Sequence, residues 1–74
     1  MRYVVHAEQH REPIEFAFQT AAEAVSKAWS LMGSGATDLY IFDNDTYEVF
    51  FPDEFVGLFR TTAAVPQVGG RNQR

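Results

Sequence analysis

The chain has no cysteine, only three prolines and five glycines, and six basic residues against ten acids. Without cysteine there are no disulfides, no thiolate catalysis, no iron–sulfur ligation and no Cys-based zinc sites. The composition suits a reducing cytoplasm, which is the expected location. Long apolar runs are also missing. No stretch is long enough to span a bilayer, and the start, Met1-Arg2-Tyr3-Val4-Val5-His6, is too short in apolar residues for a secretory signal. Seventy-four residues make one domain at most. A chain of this size buries only about 60% of its unfolded surface, so its stability margin is thin. Small domains commonly add a disulfide, a metal or a partner subunit, and here the first is excluded.

Basic residues are scarce where they would matter for nucleic acid. Residues 1–59 hold all ten acids but only Arg2, Arg11 and Lys27, which gives a charge of −7. The remaining residues carry Arg60, Arg71 and Arg74, a charge of +3. A domain this acidic repels phosphate backbones, and no basic stripe exists to bind DNA or RNA. Three arginines spread along a tail are a weak signal for any anionic surface.

Aromatics, by contrast, are plentiful. Seven Phe, three Tyr and one Trp stand between Tyr3 and Phe59, and none stands after it. The contrast divides the chain into a compact domain over residues 1–60 and a disordered tail over 61–74, where Pro66 and Gly69-Gly70 also fall.

Along the domain, Arg2–Glu8 reads as a strand by alternation, followed by a polar hairpin loop over Gln9-His10-Arg11-Glu12. Pro13 cannot donate to a ladder and belongs at the first residue or edge of the next strand, where Ile14, Phe16 and Phe18 alternate with Glu15, Ala17 and Gln19. Thr20-Ala21-Ala22-Glu23 is a capping box. The helix it opens places Ala21, Val25, Ala28 and Met32 at the centre of one face, with Ala22 and Trp29 on one flank and Ala24 and Leu31 on the other. Glu23, Ser26, Lys27 and Ser30 take the opposite arc, with Glu23 and Lys27 spaced as an i,i+4 pair. Gly33-Ser34-Gly35 supplies the exit.

Thr37–Phe42 is a strand apolar on both faces, which marks a central strand or a covered outer face. Asp43-Asn44-Asp45 is a turn cluster, and Thr46–Phe51 returns as the partner strand. Pro52-Asp53-Glu54 opens a short second helix with Phe55, Val56, Leu58 and Phe59 on its apolar side. The order β-β-α-β-β-α predicts an α+β domain: a four-stranded antiparallel sheet, order 2-1-3-4, packed on one amphipathic helix. A β-grasp arrangement is the competitor, with Gly57–Val65 as a fifth strand.

Few constellations carry chemistry. His6, Glu8, His10 and Glu12 alternate and could hold zinc with an open position, but a hairpin turn falls among them, and a polar strand running into a loop accounts for the pattern. Asp43, Asp45 and Glu54 match the first, third and twelfth positions of a calcium loop; Glu48 stands where that motif needs glycine. Gly33-Ser34-Gly35 follows a helix, and phosphate loops precede one. Lys27, Ser26 and Ser30 lie on the solvated arc with nothing to activate them. No carboxylate is visibly buried to raise its pKa. No catalytic residue, metal or cofactor is therefore assigned. Gly69-Gly70 resembles the terminal diglycine of ubiquitin-like modifiers, and the ββα start fits their element order. Here Arg71-Asn72-Gln73-Arg74 follow, so a protease would first have to expose the diglycine.

The aromatic surplus is the strongest functional signal. Tyr40, Phe42, Phe50, Phe55 and Phe59 cannot all face the main helix if Leu39, Ile41, Phe16 and Phe18 do. Either the terminal helix covers part of the second sheet face, or a partner binds at these five residues. The expectation is a small protein-interaction protein without catalytic activity, self-associating as a homodimer. An acidic inhibitor or nucleic-acid mimic, and a small-ligand or metal role at His6 and His10, are the alternatives.

Overall fold

A computed structural model describes residues 1–64. Strand β1 (Tyr3–Gln9) turns into β2 (Glu12–Phe18), helix α1 (Ala21–Gly33) follows, then β3 (Thr37–Asp43) and β4 (Val49–Phe50). A 3-10 turn over Pro52–Glu54 leads into α2 (Phe55–Ala64). The sheet is antiparallel with order β2-β1-β3-β4, so the doubly apolar β3 lies in the interior as its residues require. The stretch 57–64 is helical, which excludes the β-grasp alternative.

Local chemistry sets the boundaries. Thr20 Oγ1 accepts from the Glu23 amide at 3.2 Å, and Glu23 Oε1 accepts from the Thr20 amide at 3.3 Å, closing the expected capping box. At the other end of α1, the Ala36 amide donates to the Leu31 carbonyl and the Gly35 amide to the Met32 carbonyl. This pair of bonds needs a left-handed residue after the cap, and Gly35 takes φ +94° without steric cost.

Tyr3, Val5 and Ala7 of β1, Leu39 and Ile41 of β3, five residues of α1 and Phe55 of α2 form the core. The buried stripe of α1 is Ala21, Ala24, Val25, Ala28 and Leu31. It is rotated from the expected face, since Met32 is 45% and Trp29 40% exposed. Helix α2 packs against α1 rather than on the second sheet face, with the Phe59 and Trp29 ring centres 5.4 Å apart. Lys27 also departs from the expected solvated position: its Nζ lies 4.3 Å from the centre of the Phe16 ring.

Two other expectations change. Strand β4 is two residues long, not six, because the connection from β3 runs to Glu48. There the Asp43 amide donates to the Glu48 carbonyl at 2.9 Å, and the Tyr47 amide to the Asp43 carbonyl at 2.8 Å. Helix α2 runs past residue 60 to Ala64, because Thr-Thr-Ala-Ala contains no helix breaker. The loss of aromatics after Phe59 does not mark where the helix ends. The diglycine, Arg71 and Arg74 lie outside the described residues.

Candidate protein-binding face

Side chains alternate across a sheet, so the registers divide the aromatics unambiguously. Val5 stands opposite Phe16 and Ile41, and Ile41 opposite Phe50; this row faces the helices. Val4 stands opposite Ala17 and Phe42, and Phe42 opposite Val49; His6 stands opposite Glu15 and Tyr40. These two rows face away. Both helices lie on the inner side, and among the described residues nothing covers the outer one.

The outer face is apolar and aromatic on its β3–β4 half. Tyr47 is 78% exposed, Phe51 53% and Val49 41%, while Tyr40 and Phe42 are half-buried by their neighbours. Ring contacts join them: Tyr40 to Phe51 at 6.4 Å and Phe42 to Tyr47 at 6.2 Å, both tilted. His6 stacks on Tyr40 with ring centres 4.6 Å apart and planes within 16°, and its Nδ1 lies 3.3 Å from Glu15 Oε2. Acids collect at the far corner, where Glu8, Glu15 and Asp38 border a shallow hollow with Pro13 and Tyr40.

The five expected contact residues therefore do not form one patch. Tyr40 and Phe42 lie on the open face. Phe50 points inward and packs against the core, Phe59 packs on Trp29, and Phe55 is fully buried within its own chain. Tyr47, Val49 and Phe51 complete the open face instead. Their alternation is visible in the sequence, but their side of the sheet depends on the hairpin register, and one residue of slip reverses it.

Tyr47 is unusual in its backbone as well. It closes the β3–β4 loop at φ +63°, a conformation that favours glycine or asparagine. The loop is held from below. Asp43, buried on the inner side, accepts from Arg2 Nε and Nη2 at 2.9 Å each and from the Asp45 amide at 2.9 Å. The Arg2 hydrogen bonds hold the Asp43 carboxyl below the usual carboxylate range, against the effect of burial, and raise the Arg2 guanidinium in turn. Burial pushes the neighbouring Tyr3 phenol up.

Both sheet edges carry features that disfavour strand addition. Strand β2 carries Pro13 and the exposed Glu12 and Glu15; β4 ends after two residues at Phe50, and the amide of the following Phe51 donates to Glu54 Oε1 at 2.8 Å. His6 and His10 do not converge, since His6 is stacked on the open face and His10 sits in the β1–β2 turn. Among the described residues no three His, Cys, Asp or Glu side chains are grouped to hold a metal. A cleft of about 530 Å³ between the β3–β4 loop and α2 is bordered by Arg2, Asp43, Glu48, Asp53 and Glu54. Its one cation is committed to Asp43. No helix among the described residues is long and apolar enough to cross a membrane. Comparison of the chain with protein-family models, curated protein sequences and solved structures gave no match.

Proposed function

We propose that this chain is a non-catalytic protein-interaction protein that acts as a homodimer, joined through the open face of its sheet. One observation carries this. Both helices pack on the same side of the sheet, which leaves Tyr47, Val49 and Phe51 exposed around the half-buried Tyr40 and Phe42. Burying one phenylalanine is worth roughly 1.5–3 kcal/mol, so several wet aromatics forfeit much of a small domain's margin. A second copy supplies the same apolar surface in return, and two-fold pairing is the commonest closed solution. Absence of catalysis is supported by placement. The exposed Ser26 and Ser30 of α1 lie on the opposite side of the sheet from His6, so neither serine meets that imidazole. The cysteine-free composition fits a cytoplasmic protein.

Sedimentation velocity over a dilution series of the full chain tests the proposal. A boundary that shifts from dimer to monomer on dilution supports it; a monomer at every concentration contradicts it. The acidic corner at Glu8, Glu15 and Asp38 favours one rival, occupation of a basic site on another macromolecule. That rival requires a complex weakened steeply by salt, whereas pairing through aromatics tolerates salt.

A further inference from the structure

We infer that the cleft between the β3–β4 loop and α2 binds an organic cation, one whose ammonium groups are joined by methylenes. The cleft lies on the helix side of the sheet, away from the open face. Burial grades it from rim to base. Glu48, Asp53 and Glu54 are exposed, Phe50 and Leu58 are half-buried, and Tyr3 and Asp43 are buried.

The base carries an unmatched polar group. Tyr3 is 7% exposed, and its hydroxyl makes no hydrogen bond among the described residues. Its side chain points inward, since it alternates with Val4, shares a face with Val5 and stands opposite the buried Asp43. Arg2 lies over the Tyr3 ring, 4.9 Å from its centre, and turns its Nε and Nη2 donors to Asp43 instead. A buried hydroxyl without a partner is costly, and a donor entering the cleft would satisfy it.

Charge decides which donor. Asp43 is matched by Arg2, but no cation pairs with Glu48, Asp53 or Glu54 among the described residues. Glu48 and Glu54 each accept one hydrogen bond through Oε1, from Thr46 Oγ1 and the Phe51 amide, and Asp53 accepts none. The helix start nearby contributes a positive end of roughly half a charge, which three carboxylates outweigh, so an anion is repelled. A bare metal ion fits poorly as well. Among the described residues no three acid or histidine side chains converge on one point. Carboxylates held apart in a cleft that also presents Phe50 and Leu58 match charges held apart by an apolar stem. At about 530 Å³ the cleft has the size of a small-molecule site. The acidic hollow at Glu8, Glu15 and Asp38 differs: none of its polar side chains is buried, and His6 already stands beside Glu15.

The test titrates spermidine into the full chain, followed by calorimetry and by backbone amide NMR. Magnesium ion (charge without a stem) and butylamine (a stem with one charge) are run beside it. A short acetylated peptide with two lysines distinguishes lysines of a protein from a free polyamine as the source of the ammonium groups. Spermidine or the peptide should bind several-fold more tightly than either control, with amide shifts confined to residues 48–58 and the start of β1. Asp53→Asn should weaken that binding by roughly two- to fivefold. Tyr3→Phe should weaken it by about tenfold and melt no lower than wild type, because it removes a buried hydroxyl that lacks a partner. Equal binding of magnesium, or shifts that spread to Glu8 and Glu15, would mean general attraction to an acidic chain and overturn the site. Wild-type affinity in both variants, a lower melting temperature for Tyr3→Phe, or no binding of spermidine or the peptide would overturn it too.

Discussion

Arg2 grips Asp43 through two parallel hydrogen bonds of 2.9 Å, joining the first residues of the chain to the base of the loop that presents Tyr47. The grip is reinforced along the backbone. The Asn44 amide donates to the Arg2 carbonyl at 2.8 Å, and Asn44 Nδ2 to the Met1 carbonyl at 3.1 Å. The β3–β4 loop is thus held from both its side chains and its main chain, although the strand beyond it is only two residues long.

Asp43→Ala is expected to lower stability by about 1–3 kcal/mol, because the Asp45 amide and the Arg2 guanidinium lose a buried acceptor. The same pair makes stability depend on pH. Asp43 is more acidic folded than unfolded, so the unfolded chain binds its proton first. Its contribution is complete above the ordinary aspartate value of about 3.9 and is lost as pH falls below it through the folded value. Melting temperature against pH should fall less steeply over that acid range for Asp43→Asn than for wild type. Parallel curves would remove Asp43 from the account.

The β1–β2 turn carries unexploited stability. His10 and Arg11 take φ +55° and +67°, the two left-handed positions of a tight hairpin turn. Asparagine followed by glycine suits those positions best. The double change His10→Asn, Arg11→Gly should raise unfolding free energy by about 1 kcal/mol or more in urea titration. Unchanged or lower stability would mean that these side chains hold the turn in some other way.

Tyr47 separates folding from association. Its left-handed backbone costs free energy in the single chain, on the order of 1 kcal/mol, while its ring is exposed and touches only Phe42 among aromatics. Tyr47→Gly should leave the subunit equally or more stable and weaken dimerisation by about tenfold, as loss of an aromatic anchor does. Calorimetry and sedimentation on one sample measure both. A less stable subunit with unaltered association would place Tyr47 in the fold rather than in the interface.

Features fixed by neighbours in sequence were legible, and features fixed by tertiary packing were not. The Thr20–Glu23 capping box, the Gly35 exit and the interior position of β3 follow from local spacing and from apolarity on both faces. The sheet order follows from element order. The exposed trio Tyr47, Val49 and Phe51 was hidden, because their side of the sheet depends on a loop closed by a tyrosine in a conformation that glycine or asparagine would normally mark. Phe55, a contact residue by sequence alone, is core, because the side of the sheet chosen by α2 is set by its packing on Trp29 and α1. Amphipathicity shows that a helix has a buried face; it does not say which surface buries it.

The most direct test of the open face as a dimer interface is the equilibrium molar mass of wild type and Phe51→Glu, measured side by side. Phe51 is 53% exposed and follows the last residue of β4, so the charge can be placed without disturbing the core. Given the modest area of the face, concentrations in the high micromolar range are appropriate. The account predicts about twice the 8.4 kDa chain mass for wild type, and the single-chain mass for Phe51→Glu with an unaltered circular dichroism spectrum. A wild-type monomer at those concentrations, or a Phe51→Glu protein that remains dimeric, would contradict it.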